Sequence, residues 1–168
     1  MWGWQDLDVV TSKVFLRGGD TYIALKKEGR DQSFFADLSS KILIGIKGYH
    51  YGFANFNNDP ILLEEKYNLI LGNSSLSVIK MLEYRRGDIA IISLSFILPY
   101  LKQHQSLSKK ILISEKLDHQ YGHTILTRKN FQVNPEKLNH WLSQLEEQGK
   151  LEEIWNKRGL GDLHKWLN

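Results

Sequence analysis

The sequence predicts an α/β fold with a mainly parallel sheet, and two of its patterns indicate this. Short, almost unbroken apolar runs at 42–46 and 89–92 are typical of strands that are covered on both faces. Helical patterns alternate with these runs at a spacing that suits crossover connections between parallel strands. We find no internal repeat, low-complexity tract or long linker in this order.

Composition excludes several classes of protein. The chain has 168 residues, of which 42% are apolar and 24% charged, a balance typical of folded globular proteins. It contains no cysteine, which excludes disulfides and thiolate zinc sites. A net charge of +3 is too small to indicate nucleic-acid binding. No apolar run is long enough to span a bilayer, and the opening residues do not resemble a signal peptide.

The first half of the chain predicts three strands. A β-rich segment at 21–25 leads into a charged turn containing Gly29. The strand at 42–46 passes through Gly48 into the aromatic-rich stretch 49–56, which is compatible with a helix and ends at the turn before Pro60. A short helix at 61–66 then leads into a strand at 67–71.

The second half predicts an amphipathic helix, three strands and a helical end. The helix begins at Asn73, Ser74 or Ser75, and Gly87 is expected to be its left-handed C-cap. A strand at 88–93 is followed by a helix to about 103 and by strands at 111–113 and 124–127. Two amphipathic helices separated by Gly149 complete the chain, the first beginning at Asn134-Pro135-Glu136.

The glycine turn after the second strand is one candidate ligand site. Its free backbone N–H groups and the following helix start could hold a carboxylate or phosphate, although a plain tight turn is the alternative. The aromatic residues after it are too dense for one buried face, so some should face a cleft. The candidate residues here are Gly48, Tyr49, His50 and Tyr51.

Further candidates lie at strand ends. Ser93 and Ser95 follow a buried strand, where parallel sheets collect ligands, although Ser95 could merely cap the next helix. Asp88 is interpreted as structural. His119 and His123 are four residues apart but lie in a β-type stretch, which disfavours a metal site. The usual hydrolase, phosphate-loop and zinc-protease motifs are absent from the sequence.

Three ordered blocks of sequence carry a family resemblance. The turn at 42–49, the helix-Gly-Asp-strand block at 78–90 and the ending at 138–161 resemble periplasmic solute-binding proteins of the polar amino-acid class, family 3 of the ABC importers. The resemblance covers about 22–159. It implies the periplasmic-binding-protein type II fold, in which two α/β lobes close on a ligand.

The resemblance also implies a division into lobes. Residues 1–40 would be a partial first lobe with the first crossing strand, 41–118 the second lobe, and 119–168 the return crossing and the C-terminal helices packing on the first lobe. Most of the family's first lobe, with its carboxylate-clamping arginine, would precede Met1. We therefore expect a truncated form, or completion by a partner or a second copy in a homodimer. The candidate association surfaces are Trp141, Leu142, Trp155 and Trp166.

The same resemblance assigns roles within the site. Gly48, Tyr49 and His50 correspond to a Gly-Thr-Thr-type turn that binds the ligand carboxylate, and Tyr121 lies near the return crossing. Ser93 stands where the family usually has the aspartate that pairs with the ligand's α-ammonium. Losing that charge removes a bond worth about 1.5–3 kcal/mol. An aromatic, amide or less cationic ligand is therefore as plausible as a standard α-amino acid.

The function expected from these features is binding of a small polar, amino-acid-like solute as the substrate-binding component of an ABC importer. The importer's membrane subunits would be partners, and we expect no catalytic role, cofactor or metal. Localisation would be periplasmic by resemblance. One alternative is a degenerate sensory or interaction module of the same fold. Another is a dehydratase-type enzyme, which would need Asp88 or Asp118 as an acid facing the cleft.

Overall fold

The computed structural model describes residues 7–129 and 132–167, and the elements below are those of these two ranges. The strands are β1 Val9–Thr11, β2 Leu16–Leu25, β3 Leu43–Ile46, β4 Leu69–Gly72, β5 Ile89–Ser93, β6 Ile111–His123 and β7 Leu126–Arg128. The helices are α1 Pro60–Tyr67, α2 Ser75–Glu83, α3 Leu94–Gln103, α4 Gln105–Ser108, α5 Pro135–Glu147 and α6 Lys150–Lys157. Short 3-10 helices cover Gln32–Phe35, Gly52–Ala54 and Leu163–Trp166.

The strands form two sheets. The larger has the order β4-β3-β5-β2-β6, in which β3 runs parallel to both β4 and β5, while β2 runs antiparallel to β5. The smaller sheet pairs β1 with β7 in antiparallel fashion. The predicted α/β class is confirmed, and the larger sheet is mixed because β2 runs antiparallel to its neighbour β5.

The chain divides into two compact units. The described part of the first comprises residues 7–18, 121–129 and 132–166, and the second comprises residues 19–120 with Leu167. The boundaries fall inside β2, between Gly18 and Gly19, and inside β6, between Gln120 and Tyr121. The predicted lobe ranges 1–40, 41–118 and 119–168 stay predictions, and residues 1–6, 130–131 and 168 of those ranges lie outside the described residues.

The core of the second unit is built from the apolar strand runs. Side chains from β2 to β5 are buried together with a few from the connecting segments, which removes apolar surface from water. The contributors include Tyr22, Ala24, Leu43, Leu69, Ile89 and Ile91 from the strands, and Phe35, Tyr51 and Leu63 from the connections. Helix α2 also buries Val78, Ile79 and Leu82. Leu76, in the first turn of the same helix, is 47% exposed.

Two local expectations are corrected. The aromatic stretch after Gly48 is not an α-helix; it forms only the 3-10 turn Gly52–Ala54, since Asn55 and Phe56 take left-handed backbone angles that end it. The left-handed residue after α2 is Arg85, with φ of 54°, and not Gly87. Glycine is needed at position 87 for space, because a Cβ there would lie 2.6 Å from Cγ1 of Ile44.

The first unit contains the β1–β7 pair and the C-terminal helices. Asn134 caps α5 as predicted, its side chain accepting a hydrogen bond from the Lys137 N–H at 2.9 Å. Lys13 binds the same helix, donating from its backbone N–H to Asn139 Oδ1 at 2.6 Å and from Nζ to Glu146 at 2.7 Å. These bonds connect the segment after β1 to α5.

The predicted association surface on the C-terminal helices is only partly exposed. Trp141 is 42% exposed, whereas Leu142 is 6% exposed and therefore covered within the structure. Trp155 and Trp166 are partly buried. Leu142 is accordingly corrected to a core residue, and the homodimer stays a prediction. Within the described ranges, no helix combines the length and the apolar character that crossing a membrane requires.

We expect Gly45→Ala to lower the free energy of unfolding by about 1–3 kcal/mol through overpacking. The new Cβ would lie 2.5 Å from the Tyr51 hydroxyl oxygen. Tyr51→Phe should also destabilise the protein, because it removes the hydroxyl that bonds the backbone of Ile46. Since the phenylalanine relieves part of the clash, the double variant should lose less than the sum of the single variants. Urea unfolding of the four proteins measures this, and strict additivity would contradict the contact.

Candidate functional site

The glycine turn lies at the carboxyl end of β3. Tyr49 donates its backbone N–H to the Ile46 carbonyl at 3.2 Å, and Gly48 has φ of 82°, an angle that favours glycine. The Lys47 N–H donates to the Gly72 carbonyl at the end of β4, at 2.9 Å. The turn is therefore closed by its own hydrogen bond and attached to the neighbouring parallel strand.

The three aromatic candidates after Gly48 have different environments. Tyr49 is 44% exposed and His50 is partly buried, so both present surface at the turn. Tyr51 is 1% exposed, and its hydroxyl donates to the Ile46 carbonyl at 3.0 Å while accepting the Ile46 N–H. The expectation that Tyr51 contacts a ligand is corrected: its ring is in the core, and it supports the turn from beneath.

Ser93 and Ser95 lie together at the carboxyl end of β5. Ser93 is the N-cap residue of α3, without a side-chain capping bond, and Ser95 lies in the first turn of the helix. Their hydroxyl oxygens are 2.8 Å apart. Ser95 is therefore not the N-cap, and the two hydroxyls form a polar pair beside the first N–H groups of α3. Because β3 and β5 are parallel, this pair and the Gly48 turn lie on the same edge of the sheet.

Asp20 is a carboxylate that sequence reasoning missed. It lies on β2 directly opposite Ser93 in the antiparallel register, so the two side chains share one face of the sheet. Asp20 is 5% exposed. The sequence offers only an acidic residue immediately before a β-rich run, and the register that pairs it with Ser93 depends on residues 73 positions away. No local pattern could have identified it.

The carboxylate of Asp118 organises the segment after the turn. Oδ1 accepts hydrogen bonds from the Tyr22 hydroxyl at 2.6 Å and the Phe53 N–H at 2.9 Å. Oδ2 accepts from the Gly52 N–H at 2.6 Å and from His119 Nδ1 at 3.1 Å. The Asp118 side chain is fully buried. Its role is to hold the 3-10 turn to β2 and β6.

The protonation of Asp118 follows from these four bonds. Burial by itself would raise the pKa of this carboxyl, but the hydrogen bonds from His119, Tyr22, Gly52 and Phe53 outweigh burial and lower the pKa. Asp118 is thus a buried, ionised structural group. Asp88 is structural as expected, since it accepts the Ile42 N–H at 2.9 Å. Asp118 does not provide the exposed acid that a dehydratase-type reaction would require.

His119 connects the two acids of the site. Its Nδ1 contacts Asp118, its Nε2 lies 3.9 Å from Asp20 Oδ2, and its ring meets Phe56 edge to face at 5.3 Å. The hydrogen bond to Asp118 raises the pKa of His119, burial opposes this, and the negative charge of Asp20 reinforces it. The imidazole is therefore a proton-binding group between two carboxylates.

Tyr121, the last predicted site residue, belongs to the first unit. Its ring meets that of His123 at 5.1 Å, edge to face, and a Cβ at Gly18 would lie 2.6 Å from its Cε2 atom. The other predicted residues and Asp20 belong to the second unit. Across the described parts of the chain, no cluster of three or more His, Cys, Asp or Glu side chains could hold a metal ion.

Comparison with solved structures identifies the fold. No family model matches the chain, and no curated protein matches it. The GluR0 ligand-binding core of Nostoc punctiforme, in complex with L-glutamate, matches with a TM-score of 0.69 and 16% identity over 94% of this chain and 68% of that one. A mutant of ArgBP from T. maritima matches with a TM-score of 0.68 and 16% identity, over 94% and 64% of the two chains.

A third match is the L-cystine solute receptor of Neisseria gonorrhoeae, with a TM-score of 0.62 and 16% identity over 92% of this chain and 61% of that one. These neighbours, with the mixed sheet and its helices, define the periplasmic-binding-protein type II fold that the sequence resemblance implied. At this identity the likeness establishes the fold. The chain spans about two thirds of the length of these structures, from 61% to 68%.

We expect His119 and His123 to change stability with pH in opposite directions. The folded-state pKa of His119 is raised above its ordinary 6.5, so its contribution is complete below pH 6.5 and is lost as the pH rises through the folded value. Burial lowers the pKa of His123, so its protonation costs stability as the pH falls below 6.5.

Urea unfolding from pH 5 to 9 measures both effects. Relative to wild type, His119→Gln should lose more stability at pH 5.5 than at pH 8.5, and His123→Gln, the matched control, should show the reverse trend. Parallel pH profiles for the two variants would contradict the assigned environments.

Proposed function

We propose that this chain binds a small polar, amino-acid-like solute and acts as the substrate-binding component of an ABC importer in the periplasm, without catalysing a reaction. The observation that carries the proposal is the convergence of the Gly48 turn and the Ser93–Ser95 pair at one sheet edge, on a fold shared with amino-acid-binding proteins.

The chemistry of this edge suits such a ligand. The first N–H groups of a helix have no acceptor within it, so the start of α3 favours an anionic or carbonyl oxygen. The two serine hydroxyls can both donate and accept hydrogen bonds. The exposed ring of Tyr49 offers an apolar surface at the Gly48 turn. A ligand that combines a carboxylate with a compact organic part would meet complementary groups here.

The structural neighbours support the same ligand class. One is described as the putative binding component of an ABC transporter, complexed with lysine, and a second as the substrate-binding protein of an amino acid ABC transporter. A third, an ancestral arginine-binding protein, is described as bound to glutamine. These statements concern those proteins, and their identities to this chain are 13% to 20%. The importer and the periplasmic location are therefore proposed here by analogy of fold.

The alternatives are distinguished by binding. The dehydratase-type alternative is disfavoured because the Asp118 carboxylate is buried and fully engaged. A sensory or interaction module that has lost its ligand would bind no solute. Retention of solute binding thus separates the proposed function from a purely interacting role.

We expect at least one amino acid or closely related acid to stabilise the protein thermally at millimolar concentration. A ligand present at 100 times its dissociation constant adds about 2.7 kcal/mol to the free energy of unfolding, which a thermal shift detects readily. Isothermal titration calorimetry would then give the affinity. The absence of any stabilisation across amino acids, their amides and related acids would disprove retained binding.

Gly48→Ala should weaken this binding about tenfold or more, because alanine disfavours the positive φ on which the turn depends. Gly29→Ala is the matched control, since Gly29 also has positive φ and open space around its Cα, but lies in a different turn. Both variants should lose similar stability, while only Gly48→Ala should lose affinity in calorimetric titration. Equal affinity losses would show that the Gly48 turn has no part in binding.

A further inference from the structure

We propose that Asp20, Ser93 and His119 form a subsite for a cationic group of the ligand, and that His119 releases a proton when that group binds. The inference rests on the proposed function and deepens it, because it names the ligand class and a coupled proton. From the sequence, no carboxylate is expected to pair with a ligand cation, because Ser93 stands where the family usually has an aspartate. In this proposal Asp20 supplies that carboxylate instead.

The register of the central strands brings the carboxylate to the right place. Asp20 and Ser93 are directly paired across β2 and β5. In an antiparallel pair, directly opposed side chains project to one face with Cβ atoms about 4.5–5.5 Å apart. The Asp20 carboxylate therefore stands beside the hydroxyl that ends β5, on the edge where the Gly48 turn lies.

The electrostatic influence of Asp20 reaches the turn. Burial raises the pKa of the Tyr51 hydroxyl, and the negative charges of Asp20 and Asp118 raise it further. Tyr51 bonds the backbone of Ile46 immediately before the turn. A cationic group would be attracted to this side of the edge, whereas the N–H donors at the start of α3 favour an anion. The arrangement fits a solute that carries both charges.

His119 is the group that responds to the cation. Its Nε2 lies 3.9 Å from Asp20 Oδ2 and its Nδ1 lies 3.1 Å from Asp118 Oδ2, so two carboxylates on two strands favour its protonated form. Other groups near this pair include the Tyr22 hydroxyl, which donates to Asp118, the Tyr51 hydroxyl, whose pKa the Asp20 charge raises, and the uncharged Phe56 ring. A ligand cation placed on Asp20 would repel the imidazolium and displace its proton.

The test compares a bound amino acid with its α-hydroxy acid, which has the same side chain and carboxylate but no ammonium. Wild-type protein should bind the amino acid about 10- to 100-fold more tightly, the range typical of a charge-assisted bond. Calorimetry at pH 6.5 in buffers of different ionisation enthalpy should detect proton release with the amino acid and none with the hydroxy acid. Affinity for the amino acid should rise from pH 5.5 to pH 8.

Variants at three positions test which side chains bind the cation and which one releases the proton. Asp20→Asn should remove the preference for the amino acid over the hydroxy acid. Adding Ser93→Asp to this variant should restore the preference, because it places a carboxylate on the residue of β5 that is paired with position 20 of β2. Asp37→Asn, at an exposed aspartate, is the matched control and should behave as wild type. His119→Gln should abolish proton release while keeping the preference. If Asp20→Asn does not fold, the proton release of His119→Gln and the comparison of amino acid with hydroxy acid in wild-type protein still test the cationic subsite.

The possible failures are distinguishable. If no solute binds, the proposed function fails and this inference fails with it. If solutes bind but the amino acid and hydroxy acid bind equally, or binding releases no proton, only the cationic subsite is overturned. Loss of the preference in Asp37→Asn would likewise overturn the assignment to Asp20.

Discussion

Four hydrogen bonds converge on the buried carboxylate of Asp118, and the arrangement of the candidate site depends on them. They come from the hydroxyl of β2's Tyr22, from two consecutive backbone N–H groups after the glycine turn, and from the neighbouring His119. A buried ionised group is tolerated only when its oxygens are satisfied in this way. The same bonds that stabilise the charge therefore fix the course of the chain after the turn.

The close approach of the backbone imposes a second requirement. A Cβ at Gly52 would overlap the carbonyl oxygen of Asp118, so only glycine allows the N–H at this position to reach the carboxylate. Tyr51, one residue earlier, fills the core beneath the turn and bonds to the backbone of β3. Three consecutive residues thus have three different roles. Tyr51 fills the core, Gly52 allows the close approach of the backbone to Asp118, and Phe53 donates its N–H to the Asp118 carboxylate.

The elements of the fold were predictable from sequence where the signal is local. The apolar runs of β3 and β5 and the helix start at Asn134 are patterns of neighbouring residues, and each was identified. Helix α2 ended earlier than expected because the positive φ falls on Arg85, and its glycine at 87 serves packing against Ile44, which no sequence spacing indicates.

The site was less predictable because strand pairing, and not closeness in the sequence, brings its polar groups together. Gly48, Ser93 and Ser95 follow strand ends and could be proposed from that alone. Asp20 meets Ser93 only because β2 is inserted antiparallel beside β5, and the importance of Asp118 arises from contacts with residues 65 to 96 positions away. Aromatic density, likewise, could not separate the buried ring of Tyr51 from the exposed ring of Tyr49.

Phe56 links backbone torsion to the proton affinity of the site. Its φ of 60° is unusual for an aromatic residue, and it places the ring edge to face against His119. A glycine would adopt this angle at lower cost but would remove the ring from the imidazole. The identity of residue 56 is therefore a compromise between conformational ease and the surroundings of a titrating group. Any rearrangement that relaxes this torsion would change the microenvironment in which His119 gains or loses its proton.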